Sequence, residues 1–245
     1  FVVAPDKEQS GVGASLTLHS SVRVTPEPVD FRLSGDGNGA FPVTAYSVEG
    51  TPGDSCILAL ENVVGAVNLV VSGINAGSNL GWDVLVSGTV GAAIQGYVRG
   101  YPTIAISVGS VANPQFDTAS QLLGLMAQRV GDSMSGSSLF LNVNLPSVPV
   151  DRINGLRVTH LGNRAYGESV REEDDGRDKR YRIARNRPIG GVPLDGTDIW
   201  ALKNNYISIT PLQISLGHQQ QMPEVENMLA GISDHLLNLL ARADT

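Results

Sequence analysis

Residues 67–101 read VNLVVSGINAGSNLGWDVLVSGTVGAAIQGYVRGY, and this stretch decides the fold. The apolar run VNLVVS has the composition of a buried strand. It ends in SGINAGSN, a polar, glycine-rich segment. A second turn, Ser87-Gly88-Thr89, opens a stretch in which Val90, Ala93, Ile94, Tyr97 and Val98 recur at helical spacing. Gly100 and Pro102 stop that helix, and TIAISV follows as another buried strand. The unit is strand, long polar loop, helix, strand. In open α/β sheets ligands bind at the carboxyl ends of the strands, where this loop lies.

The same alternation extends outward. FVVAPD reads as a short buried strand ending at Pro5, and SLTLHSSVRVTP alternates like a half-exposed strand. Residues 30–40, DFRLSGDGNGA, have the turn residues of a hairpin tip. Thr51, Pro52 and Asp54 are N-cap, N1 and first-turn residues of a helix expected to run to about Val63. Asp117 is placed to cap a helix whose face is Ala119, Leu122, Leu123, Met126, Ala127 and Val130, and LFLNVNLP is a further buried strand. This order predicts a mostly parallel sheet with helical crossovers. Past Pro146 the character changes. GLRVTHLG reads as an exposed strand, and the charged run 168–180 with YRIAR as a hairpin arm. YISITPL is strand-like. Pro223 starts a last helix with a stripe of Val225, Met228, Leu229, Ile232, Leu236, Leu239 and Leu240.

The chain has 245 residues, 42% of them apolar and 17% charged, enough for one large domain with a substantial core. Its formal net charge of −7 argues against a nucleic-acid partner, which calls for a basic face. It leaves room for a small phosphate ester bridged by a cation. Cys56 is the single cysteine, so an internal disulfide and a thiolate metal site are excluded, and a reducing, cytoplasmic setting is expected. No apolar run approaches the roughly 20 residues of a membrane span, and no signal peptide is visible.

Three features can carry chemistry. Ser10 and Asn75 each follow a buried parallel strand by a few residues, which puts both on one edge of the sheet. Their neutral oxygens suit a hard cation such as Mg²⁺ or Mn²⁺, but carboxylates are needed to complete such a site. Asp6 and Asp83 are nearby without ligand spacing. Ser87, Gly88 and Thr89 at a helix start suit a phosphate, through free N–H groups and hydroxyls; an ordinary N-cap is the equal alternative. The histidines at 19, 160, 218 and 235 are scattered and read as structural, and no Walker lysine, GxSxG or HExxH is present.

The stretches VVAPDKEQSGVGASLTL, GTPGDSCILAL, NLVVSGINAGSNLGWDVLVSGTVGAA, YPTIAISV, NVNLP and GTDIWALKNNYISITPL together resemble the SurE (survival protein E) family of metal-dependent 5′-nucleotidases. Val86 stands where that family usually has tyrosine. The resemblance implies a Rossmann-like core over 1–149. A carboxyl-terminal part, 150–245, would supply a β-arm and helix used to build a homodimer or homotetramer. It implies one divalent cation per subunit, Mg²⁺ or Mn²⁺, held in part by Ser10 and Asn75. Phosphate would be bound by Ser87, Gly88 and Thr89, with Asn79 close by, and the substrate would be a nucleoside 5′-monophosphate.

One departure matters. The family's paired aspartates lie in an Asn-Asp-Asp-Gly motif at the end of a first strand, and that motif does not occur here. Phe1 corresponds to the family's second strand, and the chain opens as though inside a strand. An amino-terminal truncation of roughly 30 residues, one βα unit, is therefore expected. As it stands the chain is expected to be inactive or poorly folded. Two rival readings remain: a broader phosphomonoesterase or exopolyphosphatase, and a non-catalytic nucleotide-binding or oligomerisation module.

Overall fold

The computed structural model describes residues 1–29, 42–133, 139–163, 166–174, 179–188 and 193–232. The expected hairpin tip at 30–40 lies outside them. In chain order the elements begin with β1 (Val2–Pro5), β2 (Val24–Glu27), β3 (Ala45–Val48), α1 (Pro52–Leu58), β4 (Val70–Ala76), α2 (Gly88–Val98) and β5 (Thr103–Val108). They continue with α3 (Phe116–Ser133), β6 (Phe140–Leu145), β7 (Leu156–Val158), β8 (Tyr166–Asp174), β9 (Lys179–Pro188), α4 (Asp198–Lys203), β10 (Ile207–Pro211) and α5 (Met222–Leu229). By contacts the chain divides into two units, Phe1–Leu212 and Gln213–Thr245.

The larger unit holds a five-stranded sheet in the order β4-β5-β6-β10-β7 and a three-stranded sheet in the order β1-β3-β2. β4, β5 and β6 run parallel, joined by α2 and α3 as crossovers, as the strand–helix alternation predicts. β10 turns antiparallel to β6, and β7 is parallel to β10. The fold is α/β and Rossmann-like.

The period of two along β5 divides the core. Ile104, Ile106 and Val108, all fully buried, meet Ala119, Leu122, Leu123 and Met126 of α3 on one face. Ala105 faces the other way, with Val90 and Ala93 of α2 and with Phe140, whose ring stacks on Tyr97 at 5.2 Å. Each fully buried isoleucine contributes about 1.5–3 kcal/mol relative to exposure. α2 buries small residues as well, Gly88, Gly91, Ala92 and Gly96, because it also packs on α1 and on the loop that follows β1. Val98, read as part of the apolar face, is half exposed.

α1 begins as expected. Thr51 Oγ1 accepts from the Asp54 amide at 3.0 Å, and Asp54 Oδ2 accepts from the Thr51 amide at 2.8 Å, a complete capping box. A π-turn over Ala59–Val63 carries the helix to its predicted end.

Four expectations change. The FVVAPD strand forms but is not buried: Phe1 is 76% and Val2 51% exposed, since β1 pairs with β3 on one edge only. Residues 15–23 are not a strand, because the Thr17 amide and hydroxyl are taken by Asp54 at 2.9 and 2.6 Å instead of by a neighbouring backbone. α3 starts at Phe116, so Asp117 lies within its first turn and is not the cap. The last helix is broken after Leu229, where Ala230 leaves the helical conformation and Gly231 takes φ +80°; Ile232 is helical again, and Leu236, Leu239 and Leu240 lie outside the described residues. The charged arm does form a hairpin, with β8 antiparallel to β9 and Val170 opposite Ile183.

Candidate active site

β1 and β4 are edge strands of their two sheets, and both line one open cleft of about 1020 Å³. Ser10, Asn75, Asn79, Ser87, Gly88 and Thr89 all line it, so the six residues singled out from sequence converge on one place.

Asn75 stands near the end of β4. Its Nδ2 donates to the Gly77 carbonyl at 2.6 Å, which leaves Oδ1 as the side-chain oxygen that could serve a cation. Ser10 rides on the loop after β1, and that loop is pinned to the turn before α2 and packs on α2 itself. The Gly13 amide donates to the Val86 carbonyl at 2.9 Å. Gly91 lets the loop in: a Cβ there would stand 2.7 Å from the Gly13 carbonyl carbon and 2.8 Å from Ala14 Cα. Of the two readings of the Ser-Gly-Thr turn, the structure shows the cap, with all three residues lining the cleft. Ser87 is the N-cap of α2, its Oγ accepting from the Val90 amide at 3.2 Å. Gly91 N donates to the Ser87 carbonyl. Gly88 and Thr89, whose amides precede the first intrahelical bonds, line the cleft, and the positive end of α2 favours an anion there.

Sequence reasoning missed what holds Asn79. Residues 77–81 cross the sheet over a buried polar patch made by Ser107, Asn142 and Asn144, all 0% exposed. Asn144 Oδ1 accepts from the Asn79 amide at 2.8 Å, and its Nδ2 donates to the Asn79 carbonyl at 3.1 Å. Asn142 Nδ2 donates to that same carbonyl at 2.8 Å, and Asn79 Nδ2 donates to Ser107 Oγ at 2.8 Å. Asp198, fully buried at the start of α4, accepts from the amides of Gly81 at 2.7 Å, Gly162 at 2.8 Å and Ile199 at 2.8 Å. Burial pushes its carboxyl above the ordinary value against those donations. The signal was present in NVNLP, since two asparagines two apart in an apolar strand must share one face of the sheet.

Of the acidic candidates, Asp83 lines the cleft and is buried, whereas Asp6 is not among the lining residues. Lys7 brings a cation to the cleft, its Nζ 3.5 Å from Asp6 Oδ2. Cys56 also lines it, but burial pushes its thiol up to about 11, so it is protonated and no nucleophile near neutral pH. His160 is exposed, with Nδ1 3.2 Å from the Leu161 carbonyl, in keeping with a structural role. Among the described residues no three of His, Cys, Asp or Glu gather as a metal cluster. The donors present fit the neutral part of a hard-cation site, Ser10 Oγ and Asn75 Oδ1, but do not supply its charge.

The family model described as Survival protein SurE matches residues 1–168. The chain is 43% identical over 234 residues to 5′-nucleotidase SurE of Dehalococcoides mccartyi, a match covering 94% of this chain and 84% of the relative. It is 39% identical to 5′-nucleotidase SurE of Legionella pneumophila, covering 93% and 85%. The crystal structure of SurE protein from Aquifex aeolicus superimposes with a TM-score of 0.74 at 33% identity, covering 93% of this chain and 88% of that one.

Proposed function

The chain belongs to the SurE family, and from that premise we propose that it is a 5′-nucleotidase hydrolysing nucleoside 5′-monophosphates to nucleoside and phosphate. The observation that carries the reading is the convergence of Ser10, Asn75, Asn79, Ser87, Gly88 and Thr89 on one cleft, in a chain about 40% identical to relatives named 5′-nucleotidase.

The substrate phosphoryl group would dock at the start of α2. There the amides of Gly88 and Thr89 and the Thr89 hydroxyl donate to non-bridging oxygens, and the helix dipole adds attraction. Lys7 would draw the anion inward across an otherwise acidic protein. Asn79 lies on the same cleft, beside the docked group. One divalent cation per subunit, Mg²⁺ or Mn²⁺, would be held in part by Ser10 Oγ and Asn75 Oδ1. When bound it supplies Lewis-acid stabilisation of charge on the phosphoryl oxygens.

The charged ligands belong to a further βα unit in this reading. Its strand would sit between the unpaired edges of β1 and β4, since open backbone edges lining one cleft are a template for an intervening strand. A carboxylate at the end of that strand would stand beside Ser10 and Asn75. The homodimer or homotetramer is proposed from the β8–β9 hairpin, whose Val170, Tyr181 and Ile183 are 60–72% exposed. A lone two-stranded hairpin is marginal in water, so such a face calls for a second copy. The same reading puts the protein in the cytoplasm; no helix among the described residues is long and apolar enough to cross a membrane.

A panel of AMP, GMP, a general phosphomonoester and polyphosphate, assayed with the protein from its complete reading frame and with residues 1–245 alone, tests this. Preferential metal-dependent release from the nucleoside monophosphates is expected. Equal or better turnover of the general ester or polyphosphate would replace it with the broader phosphatase.

A further inference from the structure

We propose that Asn144 and Asp198 are positioning residues that set Asn79 against the substrate. The proposal rests on the nucleotidase reading of the cleft. Five residues, Gly77 to Gly81, connect the end of β4 to the turn before α2, and Asn79 at their centre lines the cleft. None of these side chains is long, so the backbone must be held from outside. Gly77 N donates to the Val108 carbonyl at 2.8 Å. Asn144 takes both the amide and the carbonyl of Asn79 and so fixes its backbone, from which the side chain donates through Nδ2 to Ser107 Oγ at 2.8 Å, leaving Oδ1 as its remaining polar atom. Asp198 holds Gly81 through Oδ2 while Oδ1 holds Gly162 and Ile199. Leu80 is buried and contributes ordinary packing, but packing does not set the direction of a polar side chain.

Asp198 also ties this loop to a different part of the fold. Gly162 lies between β7 and β8, so one carboxylate joins the substrate loop to the root of the β8–β9 arm. The two backbones touch there: Gly81 has φ +53°, and a Cβ on it would stand 3.0 Å from the Asn163 carbonyl carbon.

The two oxygens of Asp198 make the test selective. In Asp198→Asn the amide oxygen can keep Gly162 and Ile199, and the amide nitrogen then faces the Gly81 N–H, donor against donor. Amide hydrogen exchange on the protein from its complete reading frame is expected to speed up at Gly81, with Gly162 remaining protected. kcat for AMP is expected to fall about 10- to 100-fold, the range that misplacement of about 1 Å produces, with KM changing less than about threefold. Asn144→Leu, which fills the same space without the two hydrogen bonds, is expected to do the same with exchange rising at Asn79. The control is Val143→Ala, a core change on the opposite face of β6; at a matched loss of Tm it should leave kcat unaltered. Equal kcat losses in the control and the two variants at matched Tm would reduce the clamp to general stability and overturn the proposal. So would unchanged kcat, or Gly81 and Gly162 opening together. If the unmutated protein releases no phosphate from AMP, the nucleotidase reading falls, and exchange at Gly81 against Gly162 decides the clamp alone.

Discussion

Replacing Gly91 by alanine sets two effects of opposite sign against each other. Alanine in a helix interior is favoured over glycine by roughly 0.5–1 kcal/mol. At Gly91 the added carbon would overlap the Gly13 carbonyl oxygen and stand 2.7 Å from its carbon, where ordinary contact starts at 3.4 Å, so the backbone must retreat by more than about 0.7 Å. The opposing atoms are backbone and cannot rotate away, and overpacking of this kind costs about 1–3 kcal/mol. The clash wins, with a net loss of about 1–2 kcal/mol. At ~2–4 °C per kcal/mol for a chain of this size, Tm drops by roughly 2–8 °C. The displaced segment is the one that carries Ser10, so activity falls further than stability does, by about 10- to 100-fold. Gly124→Ala in α3 is the matched control: nothing lies within 4 Å of its Cβ, so only the helix preference acts, and Tm rises by about 1–4 °C with activity unchanged. Thermal unfolding followed by circular dichroism, with phosphate release from AMP by the protein from its complete reading frame, reads both. A Gly91→Ala protein as stable and active as Gly124→Ala would refute the packing of loop 11–14 on α2.

Asn75→Ala removes the one oxygen of that side chain free to bind a cation. Mn²⁺ affinity by calorimetry and turnover should therefore fall together, and unchanged values take Asn75 out of the site. Thr89→Val keeps the shape and loses the hydroxyl; inorganic phosphate binding should weaken about fivefold to tenfold, on the order of one hydrogen bond, with Mn²⁺ affinity retained. Asp54 is subject to burial, which raises its carboxyl, but hydrogen bonds from Thr17 and Thr51 outweigh this and leave it below its ordinary value. A lowered folded-state value means stability present above the unfolded value of about 3.9 and lost as pH falls through the folded one. Asp54→Asn should cost about 1–3 kcal/mol at neutral pH and flatten that acid limb, as denaturant melts between pH 2 and 5 would report.

The parts of the fold written in periodicity and caps were legible. Val90, Ala93, Ile94 and Tyr97 announce α2, and Thr51-Pro52-x-Asp54 announces α1, because both signals are local. β5 and β6 were legible as nearly apolar runs, whereas β4 was read too early: SGINA, expected in the polar loop, forms the larger part of that strand, and none of its residues is fully buried. What escaped was decided by partners distant in sequence. Residues 15–23 alternate like a strand, yet Asp54, 37 residues on from Thr17, takes that residue's donors. β1 is apolar like a buried strand but has one edge unpaired among the described residues, so Val2 is exposed and Val3 only half-buried. At the site, Ser10 after β1 and the Ser-Gly-Thr turn at the start of α2 stand where local signals put them, whereas Asn75, expected just past a strand, lies within β4; all line the one cleft. The supporting groups Asn142, Asn144 and Asp198 were not legible, since nothing local links residue 144 or 198 to residue 79 or 81. The capping role of Ser87 and its place on the cleft could not be separated in the sequence, and the geometry shows that they coexist: the side chain caps the helix, and Ser87, Gly88 and Thr89 all line the cleft.

The central claim is that this cleft hydrolyses a nucleoside monophosphate with the help of a divalent cation. Phosphate release from AMP by the protein from its complete reading frame, with Mn²⁺ or Mg²⁺ and then with excess chelator, tests it most directly. The account predicts release that requires the metal, is restored on adding it back, and is lost with Asn75→Ala in a protein that still unfolds at the wild-type temperature. Release undiminished by chelator and by Asn75→Ala, or no release under any metal, would contradict it.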